Sequence, residues 1–262
     1  MKKNLFDLTD RVAIVTGGAT GLGYGMAEAL KNHGCTVSIW GRRKDVVDEA
    51  AATLGVHSVV CDVTKKAEVE DAFRKTTDEF GRIHGMFANA GMAHHRSPSL
   101  TRTEEEWDQI LDVNVKGVAF CCQVAAIHMV EESSKEGAEK FGRLVATSSL
   151  ASTLGAPKNE QYSASKGAVN SLMRSLGGEL AGSGITANAI LPGFARSDMT
   201  KGLMENPKFD ALVKYRLKIV QDKDPRYGEP EDFGGIATYL MSDASSYHTG
   251  DCFTIDGGFS LA

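Results

Sequence analysis

Four polar side chains, Asn114, Ser149, Tyr162 and Lys166, form a set that can move a proton to or from a carbonyl oxygen. Tyr162 and Lys166 stand one helical turn apart in Gln161-Tyr162-Ser163-Ala164-Ser165-Lys166, at the start of a long helical pattern, so they share one face. A carbonyl undergoing reduction needs a proton donor. A phenol with an ordinary pKa of about 10 ionises too reluctantly to serve the reverse reaction at neutral pH. A neighbouring ammonium favours the phenolate, and Lys166 is the fixed charge in this reading. Upstream of Tyr162, Thr147-Ser148-Ser149 ends a strand-like run, where a hydroxyl can hydrogen-bond a substrate oxygen; Ser149 is expected to do so rather than Ser148. Serines at such places also serve simple turns, and Tyr-xxx-Lys pairs arise by chance on surfaces. The set therefore gains its weight from its members occurring together, Asn114 included.

A second constellation lies near the N-terminus. Immediately after a strand-like run comes Thr16-Gly17-Gly18-Ala19-Thr20-Gly21-Leu22-Gly23, leading into a helical pattern. Glycines there let the backbone approach a pyrophosphate, which free N–H groups and the positive end of the helix dipole stabilise. Gly17, Gly21 and Gly23 are the residues assigned to a dinucleotide. A positive nicotinamide ring would add to the charge that favours the Tyr162 phenolate. At the end of the second strand, where an NAD site places a carboxylate on the ribose 2′-hydroxyl, stands Gly41, followed by Arg42 and Arg43. Guanidinium groups suit a 2′-phosphate, so NADP is favoured and NAD is the alternative; the other reading of the two arginines is a solvated helix start.

The elements that position these residues follow from apolar periodicity. Short runs rich in Val and Ile recur at Val12–Val15, Val37–Trp40, Val56–Cys61, Ile83–Ala88, Arg143–Ala146, Ile185–Ile190 and Cys252–Ile255, and read as seven buried strands. Helical stretches at 21–33, 43–54, 66–80, 104–130, 161–181 and 229–242 alternate with them. That rhythm demands an α/β, doubly wound (Rossmann) fold with a seven-stranded parallel sheet covered on both faces. No linker or repeat divides the chain, so 1–262 is expected to be one catalytic domain. Two segments break the rhythm: the charged Glu131–Gly142, expected at the N-terminal edge of the sheet, and the irregular 193–227, expected at the C-terminal edge as a substrate lid.

Composition narrows the classes. Hydrophobic residues are 42% and charged residues 24%, with only 6 Pro, an ordinary globular balance that argues against disorder. The net charge of -5 comes from scattered residues and offers no basic face for nucleic acid. The N-terminus lacks the apolar run of a signal peptide, so a cytoplasmic location is the default. Val115–Val130 is the most apolar window; interrupted and short, it reads as a buried helix and no membrane is expected. The 5 cysteines include no CxxC pair, read as inert buried thiols, and no metal site is expected.

Together, TGGATGLG, Asn89-Ala90-Gly91, Asn114 in DVNVKG, the Ser149/Tyr162/Lys166 spacing and Pro192-Gly193 resemble the short-chain dehydrogenase/reductase family along essentially the whole chain. Within it the chain is similar to the 3-oxoacyl-carrier-protein reductases and related carbonyl, sugar and steroid enzymes. The resemblance implies that Thr20 and Leu22 complete the cofactor turn and that Asp62 and Val63 lie near the adenine. It implies Asn89, Ala90 and Gly91 beside the ribose, and Pro192, Gly193, Phe194 and Ser197 near the nicotinamide, with Ile190 and Phe194 flanking its ring. It further implies that Asn114 holds a water in a proton relay to Lys166. Ser197 departs from the Thr often found there but keeps the hydroxyl. Asp256-Gly257-Gly258 also matches. A homotetramer packed through 104–130, 161–181 and the last strand is implied in the same way.

The activity expected is hydride transfer between NADP(H) and a small-molecule carbonyl or secondary alcohol, such as a 3-oxoacyl thioester or small ketone. Rival readings are an NAD-dependent sugar, polyol or steroid alcohol dehydrogenase, a dehydratase or epimerase using the same tyrosine, and a catalytically silent nucleotide-sensing scaffold. The loop Met92-Ala93-His94-His95-Arg96-Ser97-Pro98 is expected near the substrate, where its cationic residues suit an anionic group.

Overall fold

The computed structural model describes residues 4–93, 99–221 and 225–261. Seven parallel strands, β1 (Val12–Thr16), β2 (Thr36–Gly41), β3 (His57–Val60), β4 (Gly85–Ala88), β5 (Gly142–Thr147), β6 (Ile185–Pro192) and β7 (Cys252–Ile255), form one sheet in the order β3-β2-β1-β4-β5-β6-β7. Every residue of β1, β4, β5 and β6 is buried. That is why these strands are apolar almost throughout instead of alternating: helices cover both faces.

On one face lie α3 (Lys66–Phe80), α5 (Val118–Ser134) and α7 (Glu160–Glu179), which contribute Val69, Phe73, Cys122, Met129, Val169 and Met173 to a continuous core. On the other lie α1 (Gly21–Asn32), α2 (Lys44–Leu54) and α10 (Gly234–Met241), which contribute Met26, Leu30, Val47, Leu54, Leu240 and Met241. The chain order reverses between β1 and β4, so a crevice opens above their C-terminal ends; ligands of such sheets bind there.

Several boundaries differ from the periodicity reading. β4 begins at Gly85, where pairing with Ala13 starts, because the Ile83 N–H donates to His128 Nε2 (3.0 Å) outside the ladder. The predicted helix 104–130 is three pieces: α4 (Glu104–Leu111), a π-helical stretch at Asp112–Gly117, and α5, which runs to Ser134 and takes in the first residues of the charged segment. This continuous 31-residue helix, Glu104–Ser134, is long and apolar enough by length and composition to cross a membrane, contrary to the shortness expected of the 115–130 window. Its apolar content has an internal use, since Val118, Cys121, Cys122, Ala125 and Met129 pack into the core.

The segment 193–227 is largely helical, with α8 (Asp198–Met204) and α9 (Pro207–Gln221). A small third core of Leu150, Val213, Leu217, Tyr227 and Phe259 holds it. The 3-10 turn Pro230–Phe233 precedes α10, and the short α6 (Ala151–Leu154) links β5 to α7.

Candidate active site

At the crevice, Gly17 takes φ +63° and Gly21 φ +53°, left-handed conformations that side chains other than glycine adopt at a cost. A Cβ on Gly23 would lie 2.2 Å from the Gly17 carbonyl oxygen, so the turn closes only with glycine there. Thr16 and Asn89 tie the ends of β1 and β4 together. The Thr16 hydroxyl oxygen accepts from the N–H groups of Asn89 and Ala90, both at 3.0 Å. Asn89 Nδ2 donates back to the carbonyls of Thr16 (3.1 Å) and Gly17 (3.3 Å).

Around this turn lies a cavity of about 180 Å³, lined among others by Gly17, Thr20, Arg42, Asp62, Ala90 and Gly91. Val63 and Arg43 line it as well. Of the residues assigned from sequence to the turn, adenine and ribose, Gly17, Thr20, Asp62, Val63, Ala90 and Gly91 therefore line one cavity, and the glycine cradle fits a dinucleotide phosphate. Leu22 is directed instead towards the core beneath α1, where it packs part-buried. Arg42 and Arg43 are exposed at the mouth, and neither pairs with a carboxylate among the described residues.

The end of β5 distributes three consecutive hydroxyl residues to three tasks. The Thr147 carbonyl accepts from Lys166 Nζ (2.7 Å), and its hydroxyl donates to Asn89 Oδ1 (2.9 Å). The Ser148 hydroxyl donates to the Lys166 carbonyl (2.9 Å) and is buried, clamping α7 to the strand. That leaves Ser149 as the hydroxyl facing Tyr162, in keeping with the choice between the two serines. α7 begins at Glu160, which puts Tyr162 in its first turn and Lys166 one turn on, with Nζ 5.7 Å from the centre of the Tyr162 ring.

The electrostatics of the protein alone run partly against the sequence reading. Burial pushes the Tyr162 phenol up, and its hydrogen bond with Ser149 offsets only part of that rise. Burial also lowers Lys166, to about 8, because an ammonium is costly to desolvate. Lys166 is still mostly protonated at neutral pH, but its field does not by itself bring the phenol into range.

Asn114 sits fully buried in the π-helical stretch, a feature that recurs at functional sites. Its Oδ1 accepts from the Met92 N–H (2.8 Å), and its Nδ2 donates to the Met92 carbonyl (2.9 Å) and to Ser165 Oγ (3.1 Å). Both amide protons are thus committed to holding the loop after β4 against α7. A Cβ on Gly91 would lie 3.3 Å from both Asn114 Oδ1 and Lys166 Nζ, which shows how closely these groups gather.

Ser197 faces the glycine turn, its Cβ 3.3 Å from where a Gly21 Cβ would stand, so this residue, distant in sequence, adjoins the turn. Pro192 ends β6, Gly193 follows it with its N–H donating to the Ile255 carbonyl (2.9 Å), and Phe194 is half-buried. Ile190 is a correction: it is 1% exposed and its side chain packs into the second core, so it does not flank the crevice. The segment that follows β6 is tied at its base, the Gly228 N–H donating to Phe194 O (3.0 Å) and the Arg196 N–H to Gly228 O (2.8 Å). His94, His95, Arg96, Ser97 and Pro98 lie outside the described residues. No cluster of three metal-ligating side chains occurs among the described residues. Thr16 and Thr147 are quoted in the sequence motifs but given no role there; their contacts with Asn89 and Lys166 join segments remote in the chain.

A family described as enoyl-(acyl carrier protein) reductase matches residues 17–260. The 3-oxoacyl-[acyl-carrier-protein] reductase of Chlamydia muridarum is 32% identical over 259 residues, covering 97% of this chain and 98% of that protein. A 3alpha-hydroxysteroid dehydrogenase of Mediterraneibacter gnavus is 35% identical over 257 residues, covering 95% and 97%. Among solved structures, a short-chain type dehydrogenase/reductase from Mycobacterium marinum superposes with a TM-score of 0.87 at 32% identity, covering 98% of each chain. The glycine turn, the Ser149-Tyr162-Lys166 group and these matches along nearly the whole chain lead to one conclusion: the protein belongs to the short-chain dehydrogenase/reductase family of oxidoreductases acting on carbonyl and alcohol groups.

Proposed function

We propose that the protein transfers a hydride between NADP(H) and a carbonyl or secondary alcohol, with Tyr162 as acid/base. The observation that carries this reading is the meeting of Tyr162, Ser149 and Lys166 next to Gly91, which lines the cavity at the glycine turn. Gly17, Thr20, Gly21 and Gly23 would hold the pyrophosphate, Asp62 and Val63 the adenine, and Asn89, Ala90 and Gly91 the ribose. Bound there, a nicotinamide dinucleotide supplies or accepts the hydride. Ser149 orients the substrate oxygen and Tyr162 gives it a proton, while Lys166 binds the nicotinamide ribose and stabilises the phenolate left behind. Asn114 keeps the loop after β4 and α7 in register.

The pair Arg42 and Arg43, with Gly41 where a carboxylate would exclude a 2′-phosphate, supports NADP over NAD. The single sheet supports one catalytic domain, and the position of 193–227 over the C-terminal edge supports its assignment as lid. Exposed Ile127 and Val130 on α5 are consistent with burial of that helix between subunits of a homotetramer. Similarity to a 3-oxoacyl-[acyl-carrier-protein] reductase and to a 3alpha-hydroxysteroid dehydrogenase supports trying a 3-oxoacyl thioester or small ketone first, and a steroid alcohol beside them. The test is a panel of ketones, acyl thioesters, sugars and steroids with NADPH and NADH, followed by nicotinamide absorbance. Turnover of at least one carbonyl with NADPH is expected; failure with every carbonyl and alcohol would overturn the reading.

A further inference from the structure

We propose that Thr147 is a positioning residue that anchors the Asn89 amide and thereby the shape of the glycine turn; this rests on the reading that a nicotinamide dinucleotide occupies the crevice. The two ends of a carboxamide have nearly the same shape and differ only in donating or accepting, so some neighbour must decide which way Asn89 faces. The Thr16 and Gly17 carbonyls, which can only accept, take the Nδ2 end, and the Thr147 hydroxyl anchors the other end by donating to Asn89 Oδ1 at 2.9 Å. Held at both ends, the amide keeps its Nδ2 at 3.1 and 3.3 Å from those carbonyls and so holds the first peptides of the turn. The contact closes over 58 residues of sequence, and Thr147 is 9% exposed, so water has little access to replace it.

Val has the shape of Thr but no donor. In Thr147→Val the Asn89 Oδ1 either stays unpaired or turns towards two carbonyl oxygens that repel it, and both outcomes loosen the turn. The other contact of Thr147, its carbonyl with Lys166 Nζ at 2.7 Å, is made by the backbone and survives the substitution. The hydroxyl therefore acts on the phosphate cradle, and the carbonyl acts on the lysine. Loss of the hydroxyl should separate cofactor affinity from chemistry.

The experiment is fluorescence titration of NADPH into the full chain as wild type, Thr147→Val and Thr147→Ser, together with the pH profile of kcat and a thermal melt of each. Thr147→Val should weaken NADPH binding about tenfold, the loss of one buried hydrogen bond. Thr147→Ser should restore binding to within about twofold, since it keeps the donor. The alkaline limb of the kcat profile should stay in place in both. If Thr147→Val does not fold, Thr147→Ala provides the same comparison. The proposal is overturned if the Val or Ala variant binds NADPH as the wild type does. It is overturned equally if Ser binds as weakly as Val, or if the pH profile moves with the affinity. Wild type that binds neither NADPH nor NADH would instead remove the functional reading, and this proposal with it.

Discussion

At the N-terminal edge of the sheet the ring of Phe141 lies between two guanidinium groups, Arg11 at 3.6 Å and Arg143 at 3.9 Å; at the C-terminal edge the ring of Tyr162 has the Lys166 ammonium at 5.7 Å. Both edges bury cations beside an aromatic ring, but they differ in how many partners those cations have. Arg11 makes a bidentate pair with Glu139 (2.6 and 2.8 Å). Arg143, 2% exposed, donates to the carbonyls of Gly142, Gly184 and Ser242. Lys166, by contrast, has only the Thr147 carbonyl as acceptor among the described residues, which leaves two of its N–H donors for an occupant of the crevice. The first edge uses buried charge to hold strands and loops together; the second leaves it available for chemistry.

Substitutions should therefore separate the two edges. The largest effect is expected from Lys166→Met: a fall in kcat of about two orders of magnitude and a loss of about tenfold in NADPH affinity, because one ammonium serves both. Steady-state kinetics and fluorescence titration check this, and a loss confined to one quantity would break the double role. The pH dependence has a definite sign. Lys166 is charged below its pKa of about 8, so wild-type NADPH affinity should fall as pH rises through that value, and Lys166→Met should lack this limb.

Arg143→Met should do the reverse. It takes the guanidinium donor from the carbonyls of Gly142, Gly184 and Ser242, although Gly184 keeps the Gly142 N–H and Ser242 keeps Ser245, and should cost about 2 kcal/mol of stability, with kcat and KM near wild type. Chemical denaturation beside kinetics measures the split, and lost turnover in folded protein would merge the two edges. Next in size, Arg42→Ala should raise KM for NADPH about tenfold and leave that for NADH nearly unchanged. Equal effects on the two cofactors would remove the 2′-phosphate assignment.

The smallest effect concerns acid. His84 Nδ1 accepts the Val12 N–H (3.1 Å), and burial, then Arg11 and Arg82, lower its pKa from 6.5 to about 4. The unfolded chain takes up this proton first, so stability falls as pH drops from 6.5 towards 4. Glu139, lowered to about 2 chiefly by its bond with Arg11, adds stability above 4.5 that is lost as pH falls towards 2. His84→Asn, which keeps an acceptor without a titrating proton, should flatten the upper part of the slope in thermal melts taken across this range. An unchanged slope would assign the acid sensitivity elsewhere.

What the sequence made legible is what local pattern encodes. Parallel strands buried on both faces are runs of Val and Ile, the glycine turn is contiguous, and Tyr162 and Lys166 are one helical turn apart. What escaped depends on partners remote in the chain. The helices α8 and α9 are stabilised by Leu150 and Phe259, which no window around 198–221 contains. The π-helical stretch at Asp112–Gly117 is a slip in backbone hydrogen bonding that leaves the apolar pattern intact. Ile190 belongs to an all-buried strand, so alternation could not tell which way it faces. Thr147 acquires its task only from Asn89, and the N-terminal edge only from the meeting of Arg11, Phe141 and Arg143.

Tyr162→Phe tests the central claim most directly, because it removes one hydroxyl and leaves the nucleotide crevice and the Thr147–Lys166 contact in place. NADPH affinity and kcat are to be measured on the same preparation, with a carbonyl that the wild type reduces. The account predicts a fall in kcat of about two orders of magnitude or more, with NADPH affinity roughly unchanged. Turnover within about tenfold of the wild type would contradict it, since the acid/base would then not be Tyr162.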